Sequence, residues 1–170
     1  MISTESRSLT STRVRLPDLG RRGGGWVILQ LVLLVAIGAA GFTGPLWSGP
    51  ARKTGAIAGA ALMASGIGLL LGGILGLRRQ LTPYPRPVAD GQLIEDGAFG
   101  LVRHPMYGGG VLAAIGWGLA MASPLALAGA AGLGAFADLK SRREEAWLGE
   151  QFAGYAAYRR RTRRLIPWLY

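Results

Sequence analysis

Three long gaps in the charge pattern constrain this chain more than any other feature. Between Arg22 and Arg52 lie 29 residues without a formal charge, and 24 more separate Lys53 from Arg78. A third run, His104 to Ala137, extends for 34 residues. A helix needs about 20 apolar residues to cross a hydrocarbon core of ~30 Å. Each of the first two gaps therefore fits one crossing, the first centred on Trp26–Gly41. The third would make a helix of ~51 Å, too long for one passage. Ser123-Pro124 stands near its middle, where proline removes a backbone donor and favours a break. The pattern predicts a hairpin of two short helices there, roughly Met106–Met121 and Pro124–Ala137, and four spans in all.

The basic residues point the same way. With four spans, 17 of the 19 Lys and Arg fall on one side: the N-terminal tail, the Arg78–Arg103 segment and everything from Lys140 onward. Positive charge stays cytoplasmic, so both termini and the middle segment are expected to face the cytoplasm. A net charge of +10 would otherwise suggest a nucleic-acid partner. Yet half the residues are hydrophobic and only 16% are charged, too few to cover a soluble basic surface. The cluster Arg159-Arg160-Arg161-Thr162-Arg163-Arg164 stands close to Trp168 and Tyr170. It reads as an attractor for anionic lipid, not nucleic acid. The Gly/Ala/Arg-rich composition has a bacterial character, which predicts a bacterial inner-membrane protein. Absence of cysteine excludes disulfides, thiolate nucleophiles and iron–sulfur clusters, and one histidine excludes an imidazole-rich metal site. The expected fold is an all-α integral membrane protein with four spans and a cytoplasmic amphipathic C-terminal helix. It divides into a basic tail (1–22), two spans (23–80) and a catalytic region (81–170). Glycine pairs four apart, Gly55/Gly59, Gly68/Gly72 and Gly72/Gly76, are expected to let the spans pack closely.

The chemistry is concentrated where the chain leaves the membrane on its basic side. The first segment runs Leu81-Thr82-Pro83-Tyr84-Pro85-Arg86-Pro87, then Gln92-Leu93-Ile94 through Phe99 to Arg103-His104-Pro105-Met106-Tyr107-Gly108. Pro105 suits the first turn of a helix, which puts Arg103 and His104 beside free backbone N–H groups and a positive dipole end. Tyr107, three residues beyond His104, shares its helical face. The second segment carries Lys140, Arg142, Arg143, Glu144 and Glu145, then a stripe of Leu148, Phe152 and Tyr155. Lys140 and Glu144 are four apart on one face. Taken singly, each has a plainer reading: an interfacial histidine, a topogenic arginine, a solvated mixed-charge helix.

Together these segments resemble the isoprenylcysteine carboxyl methyltransferase family and its bacterial relatives, which are related to phospholipid N-methyltransferases. The resemblance rests on Thr82-Pro83-Tyr84-Pro85, Leu93-Ile94 with Gly97, Arg103-His104-Pro105-Met106-Tyr107-Gly108, Glu144-Glu145 with Leu148, and the tail Phe152, Tyr155, Tyr158 and Arg164-Leu165-Ile166-Pro167. It covers about half the chain. It implies an integral membrane enzyme using S-adenosyl-L-methionine in a cytoplasmic pocket. Gln92, Leu93, Ile94, Phe99, His104, Pro105, Met106, Tyr107 and Glu144 would hold the cofactor. Arg103 and Glu145 would act in catalysis, and Lys140 with Arg143 would bind the acceptor. Phe99 stands where the family often has Tyr, and Lys140 where Arg is typical, so a point charge replaces a planar fork.

The implied acceptor is lipid-like or prenylated, and the implied reaction is carboxyl O-methylation. An ionised carboxylate needs no general base, whereas a phospholipid amine must first lose a proton, with Glu145 or His104 as takers. Membrane sterol reductases, which use NADPH, end in a similar tail. The Glu144-Glu145 pair with Leu148 favours methyl transfer over that reading, while Phe99 and Lys140 keep a non-catalytic relative open as a third.

Overall fold

The computed structural model describes residues 24–82 and 90–170. The N-terminal arginines and the Pro83–Pro87 motif lie outside the described residues. Six α-helices form in order: α1 (Gly24–Ala40), α2 (Gly49–Leu77), the short α3 (Ala98–Leu101), α4 (Pro105–Ala120), α5 (Pro124–Gln151) and α6 (Tyr155–Arg161). A single 3-10 turn, Arg78–Gln80, ends α2, and no strand occurs among the described residues. The fold is all-helical, as the charge gaps predict.

The break at Ser123-Pro124 falls where expected. Ser123 caps α5, its Oγ accepting from the Ala126 N–H at 3.2 Å and donating to the Ala40 carbonyl at 2.7 Å. One hydroxyl thus starts a helix and ties the end of α1 to the α4–α5 turn. The far end of α5 differs from the expected hairpin arm. It continues without interruption from the apolar stretch through the charged one to Gln151, about 42 Å at the helical rise. Between Ala137 and Gly149 the sequence has no glycine or proline, and the Arg142–Asp138 ion pair at 2.7 Å spans one turn. Helix propagation is cheap once nucleated. The expected separate amphipathic helix is therefore the end of α5 plus the short α6.

The α2–α4 interface is built on glycine, with a different spacing from the predicted one. A Cβ at Gly59 would stand 2.5 Å from the Gly116 carbonyl oxygen, and one at Gly66 would stand 2.6 Å from that of Gly109. Gly73 meets Pro105 and Met106. The seam therefore repeats every seven residues, two helical turns, which keeps one face on the partner. Of the predicted pairs, Gly59 belongs to this seam and Gly68 faces open space. Gly72 and Gly76 receive Ala98 and Phe99.

The opposite faces are apolar and uncovered. Val35, Ile57 and Leu75 are each more than 70% exposed, a distribution suited to lipid rather than water. Among the described residues α2, of 29 residues, is long and apolar enough to cross a membrane; α1 is apolar but shorter, at 17 residues. Trp26, Ile37, Val111, Leu133 and Phe136 form the core where α1, α4 and α5 meet.

Candidate active site

The functional residues gather at one end of the bundle, where the tail closes it. Residues 102–104 and 163–164 pair side by side: Val102 and Arg163 form a parallel bridge. The N–H groups of Arg103 and His104 donate to the carbonyls of Arg163 and Arg164 at 2.8 and 3.0 Å. This pairing needs Gly108, because a Cβ there would lie 1.8 Å from the Leu165 carbonyl oxygen. The tail thus crosses the first turn of α4 in contact with its backbone.

Arg103 cements that crossing from inside. It is buried, its Nε donates to Glu145 Oε1 at 2.8 Å, and its Nη1 donates to the Arg159 and Thr162 carbonyls. Arg164 adds a contact to Glu145 at 3.3 Å and one to Asp138 at 2.7 Å. His104 Nε2 lies 3.4 Å from Glu145. The surrounding cations and His104 hold the Glu145 carboxyl down at about 2, despite burial that pushes it up. Glu145 is therefore the anionic hub of a buried basic cluster.

Glu144 points the other way. Its Oε2 accepts from the Tyr107 hydroxyl at 2.9 Å and lies 3.7 Å from His104 Nδ1. The His104 and Tyr107 rings stack, 5.5 Å apart and tilted by 9°, as their shared helical face predicts. Burial raises the Glu144 carboxyl above its ordinary value, and His104, Tyr107 and Lys140 oppose that rise. One helix thus presents two adjacent carboxyls with opposite character: Glu145 locked as an anion in the scaffold, Glu144 at the wall of a cleft.

That cleft, about 550 Å³, is lined by every residue that the sequence assigned to the cofactor: Gln92, Leu93, Ile94, Phe99, His104, Pro105, Met106, Tyr107 and Glu144. Leu77, Leu148, Phe152, Tyr155 and Tyr158 complete it with Arg103. The sequence marked Leu148, Phe152 and Tyr155 as a stripe without assigning them to the cleft, and the kink at residues 152–154 is what turns them inward. Tyr158 donates to the Phe99 carbonyl at 2.7 Å, so a tyrosine from α6 anchors α3. One buried polar atom on the lining, the Tyr155 hydroxyl, has no hydrogen-bond partner among the described residues. Buried polar groups are ordinarily satisfied, so it fits a polar ligand.

The acceptor candidates separate. Lys140 is buried outside the cleft and lines an adjacent apolar groove of about 900 Å³, with Gln30, Leu31, Leu70, Ile74 and others. Met106 and Tyr107 line both spaces. Arg143 lies in neither; its guanidinium covers the Trp147 ring, 4.8 Å from the centroid. Gln30 escaped the sequence reading, although a lone amide in an apolar helix was the signal for it.

A helical bundle with apolar outer faces and a cleft at one end defines a membrane-associated helical protein as the class of molecule. Residues 54–154 match the family model described as phospholipid methyltransferase, and the chain belongs to that family. Membership implies methyl transfer to a lipid-type acceptor, and enzymes of this family generally use S-adenosylmethionine. The match takes in nearly all of α2, which the motif resemblance did not reach. No curated protein and no solved structure matches the chain.

Proposed function

We propose that this protein is an integral membrane enzyme that methylates the carboxylate of a lipid-like or prenylated acceptor at the cytoplasmic face, using S-adenosyl-L-methionine. The supporting observation is the shared wall of Met106 and Tyr107, which lies between a mainly apolar cleft bordered by the polar groups of His104 and Glu144 and an apolar groove bordered by Lys140. A methyl donor and a greasy anion would meet across that wall.

S-adenosylmethionine, when bound, supplies a methyl group on a sulfonium. In this reading Leu93, Ile94 and Phe99 shelter its apolar parts, with Gln92 adjacent. Glu144 holds its cationic or hydroxyl groups, and the first turn of α4 with His104 receives its carboxylate. Arg103 and Glu145 are positioning residues here, because their charges are spent on each other and on the tail. Lys140 takes the acceptor's anionic group, and Arg143 attracts it from the rim. An ionised acceptor needs positioning and exclusion of water, not a base. The exposed tail arginines rest on anionic lipid, and four spans place both termini in the cytoplasm of a bacterial cell.

A second reading, methylation of a phospholipid amine, draws on Glu144. A carboxyl raised by burial is a better proton acceptor than an ordinary one, and it lies in the cleft. The buried Lys140 cation argues against it, since an ammonium acceptor would be repelled.

Calorimetry on the full chain in detergent tests the activity. S-adenosylmethionine and its demethylated product are expected to bind, NADPH is not, and Glu144→Ala is expected to weaken binding roughly 10- to 100-fold, the usual worth of a charge-assisted hydrogen bond. NADPH binding without any for the methyl donor would overturn the reading.

A further inference from the structure

Gln30 is the one polar amide in α1, a helix otherwise made of glycine, alanine, tryptophan and large aliphatic residues. An amide in such a helix is costly unless partnered. Its Oε1 accepts from Lys140 Nζ at 2.7 Å. Lys140 is 2% exposed, and its Nζ lies 5.0 Å from the centre of the Tyr107 ring. Among the described residues no ion pair engages it, because Glu144, one turn along α5, turns its carboxylate to Tyr107 and His104. The ammonium is therefore held at contact distance by a neutral amide and an aromatic face, and the Glu144 carboxylate acts on it only from beyond ion-pair range.

Both side chains line the apolar groove between α1, α2 and α4, where Leu31, Leu70 and Ile74 provide aliphatic walls. The family match begins at residue 54, so α1 and Gln30 lie outside it.

We propose that Gln30 selects the acceptor. Its amide fixes the Lys140 ammonium at the buried end of the groove. Being neutral, it leaves that charge for the anionic head of a single-chain lipid whose tail lies along Leu31, Leu70 and Ile74. A carboxylate at position 30 would occupy the ammonium itself and turn the groove toward cations. This inference rests on the groove being the acceptor site of the activity proposed above.

The test uses the full chain in detergent, with Gln30→Leu and Gln30→Glu beside the parent. The probes are palmitate, hexadecanol and hexadecylamine, which share one tail and differ only in the head. Affinities are read from the rise of the thermal unfolding midpoint with ligand concentration. The parent is expected to prefer palmitate over hexadecanol about 10-fold, the worth of one well-placed charge contact. Gln30→Leu shrinks that preference to about 3-fold or less, and Gln30→Glu reverses it in favour of hexadecylamine. S-adenosylmethionine affinity stays unchanged in both variants. An unaltered palmitate preference in both variants, or no head preference in the parent, overturns the proposal. A parent that binds the methyl donor but ignores the head overturns this inference alone; one that binds no methyl donor overturns the proposed activity with it.

Discussion

At the residue scale the adjacent pair Glu144 and Glu145 shows how far environment divides identical side chains. Glu145 has its carboxyl held at about 2 by Arg103 and His104, against an ordinary value of 4.5. A depressed carboxyl contributes stability that is fully present above its unfolded value and is lost as pH falls through its folded value. The Glu145 share, about 2 to 3 kcal/mol, is therefore expected to disappear between pH 4.5 and about 2. Glu145→Gln should lower stability at neutral pH by about 3 kcal/mol, because it leaves the buried Arg103 unpaired, and should flatten the acid limb. Chemical unfolding in detergent at stepped pH measures both; parallel curves for parent and variant would refute the role of Glu145 as hub. The residues alone gave only the pair; the resemblance put Glu144 at the cofactor and Glu145 in catalysis. Arg103 and Glu145 stand 42 residues apart, and which of two neighbouring glutamates meets the arginine depends on the rotation of α5.

At the element scale the long helices began where the charge gaps and the break at Ser123-Pro124 placed them, but their contacts followed a rule the sequence stated ambiguously. Glycines abound in the second span, and several choices of spacing are open on paper. The packed choice is Gly59, Gly66 and Gly73 against Gly109 and Gly116. Gly66 and Gly68 separate the alternatives cleanly. Gly66→Ala would drive a Cβ to 2.6 Å from the backbone of α4, and overpacking of that kind costs about 1–3 kcal/mol. Gly68→Ala meets nothing within 4 Å and should stabilise the helix by about 0.5–1 kcal/mol. Thermal unfolding of the two variants reads the difference, and equal midpoints would refute the seam. The continuation of α5 to Gln151 belongs to this scale as well. Polarity was expected to end the helix at the membrane edge, but backbone hydrogen bonding is indifferent to side-chain charge, and a helix stops only where a breaker or a tertiary contact stops it.

At the scale of the whole molecule the proposed four-span layout makes one demand that is easily checked. The chain has no cysteine, so single introduced thiols report without background. Leu46, 77% exposed in the loop after α1, and Asp90, exposed between α2 and α3, lie at opposite ends. In intact cells a membrane-impermeant maleimide should label Leu46→Cys and spare Asp90→Cys until the membrane is opened. The reverse pattern would invert the orientation, and labelling of both would refute it. Residues 162–170 return to cross α4 over Gly108 and brace the first turn of α4, which borders the cleft.

Nine residues of the cleft lining were implied only by the family resemblance. The one-dimensional pattern was enough for the helical class, the break at Ser123-Pro124 and the shared face of His104 and Tyr107. Each depends on local sums: transfer free energy over a run of residues, the missing donor of a proline, the spacing that puts His104 beside Tyr107. Only the tertiary structure decided that Arg103 serves the tail, that Glu144 rather than Glu145 faces the cleft, and that Lys140 meets Gln30, 110 residues away. Burial of a charge is tolerable only beside a particular partner. The identity of that partner is a property of packed helices in three dimensions, which no one-dimensional pattern carries.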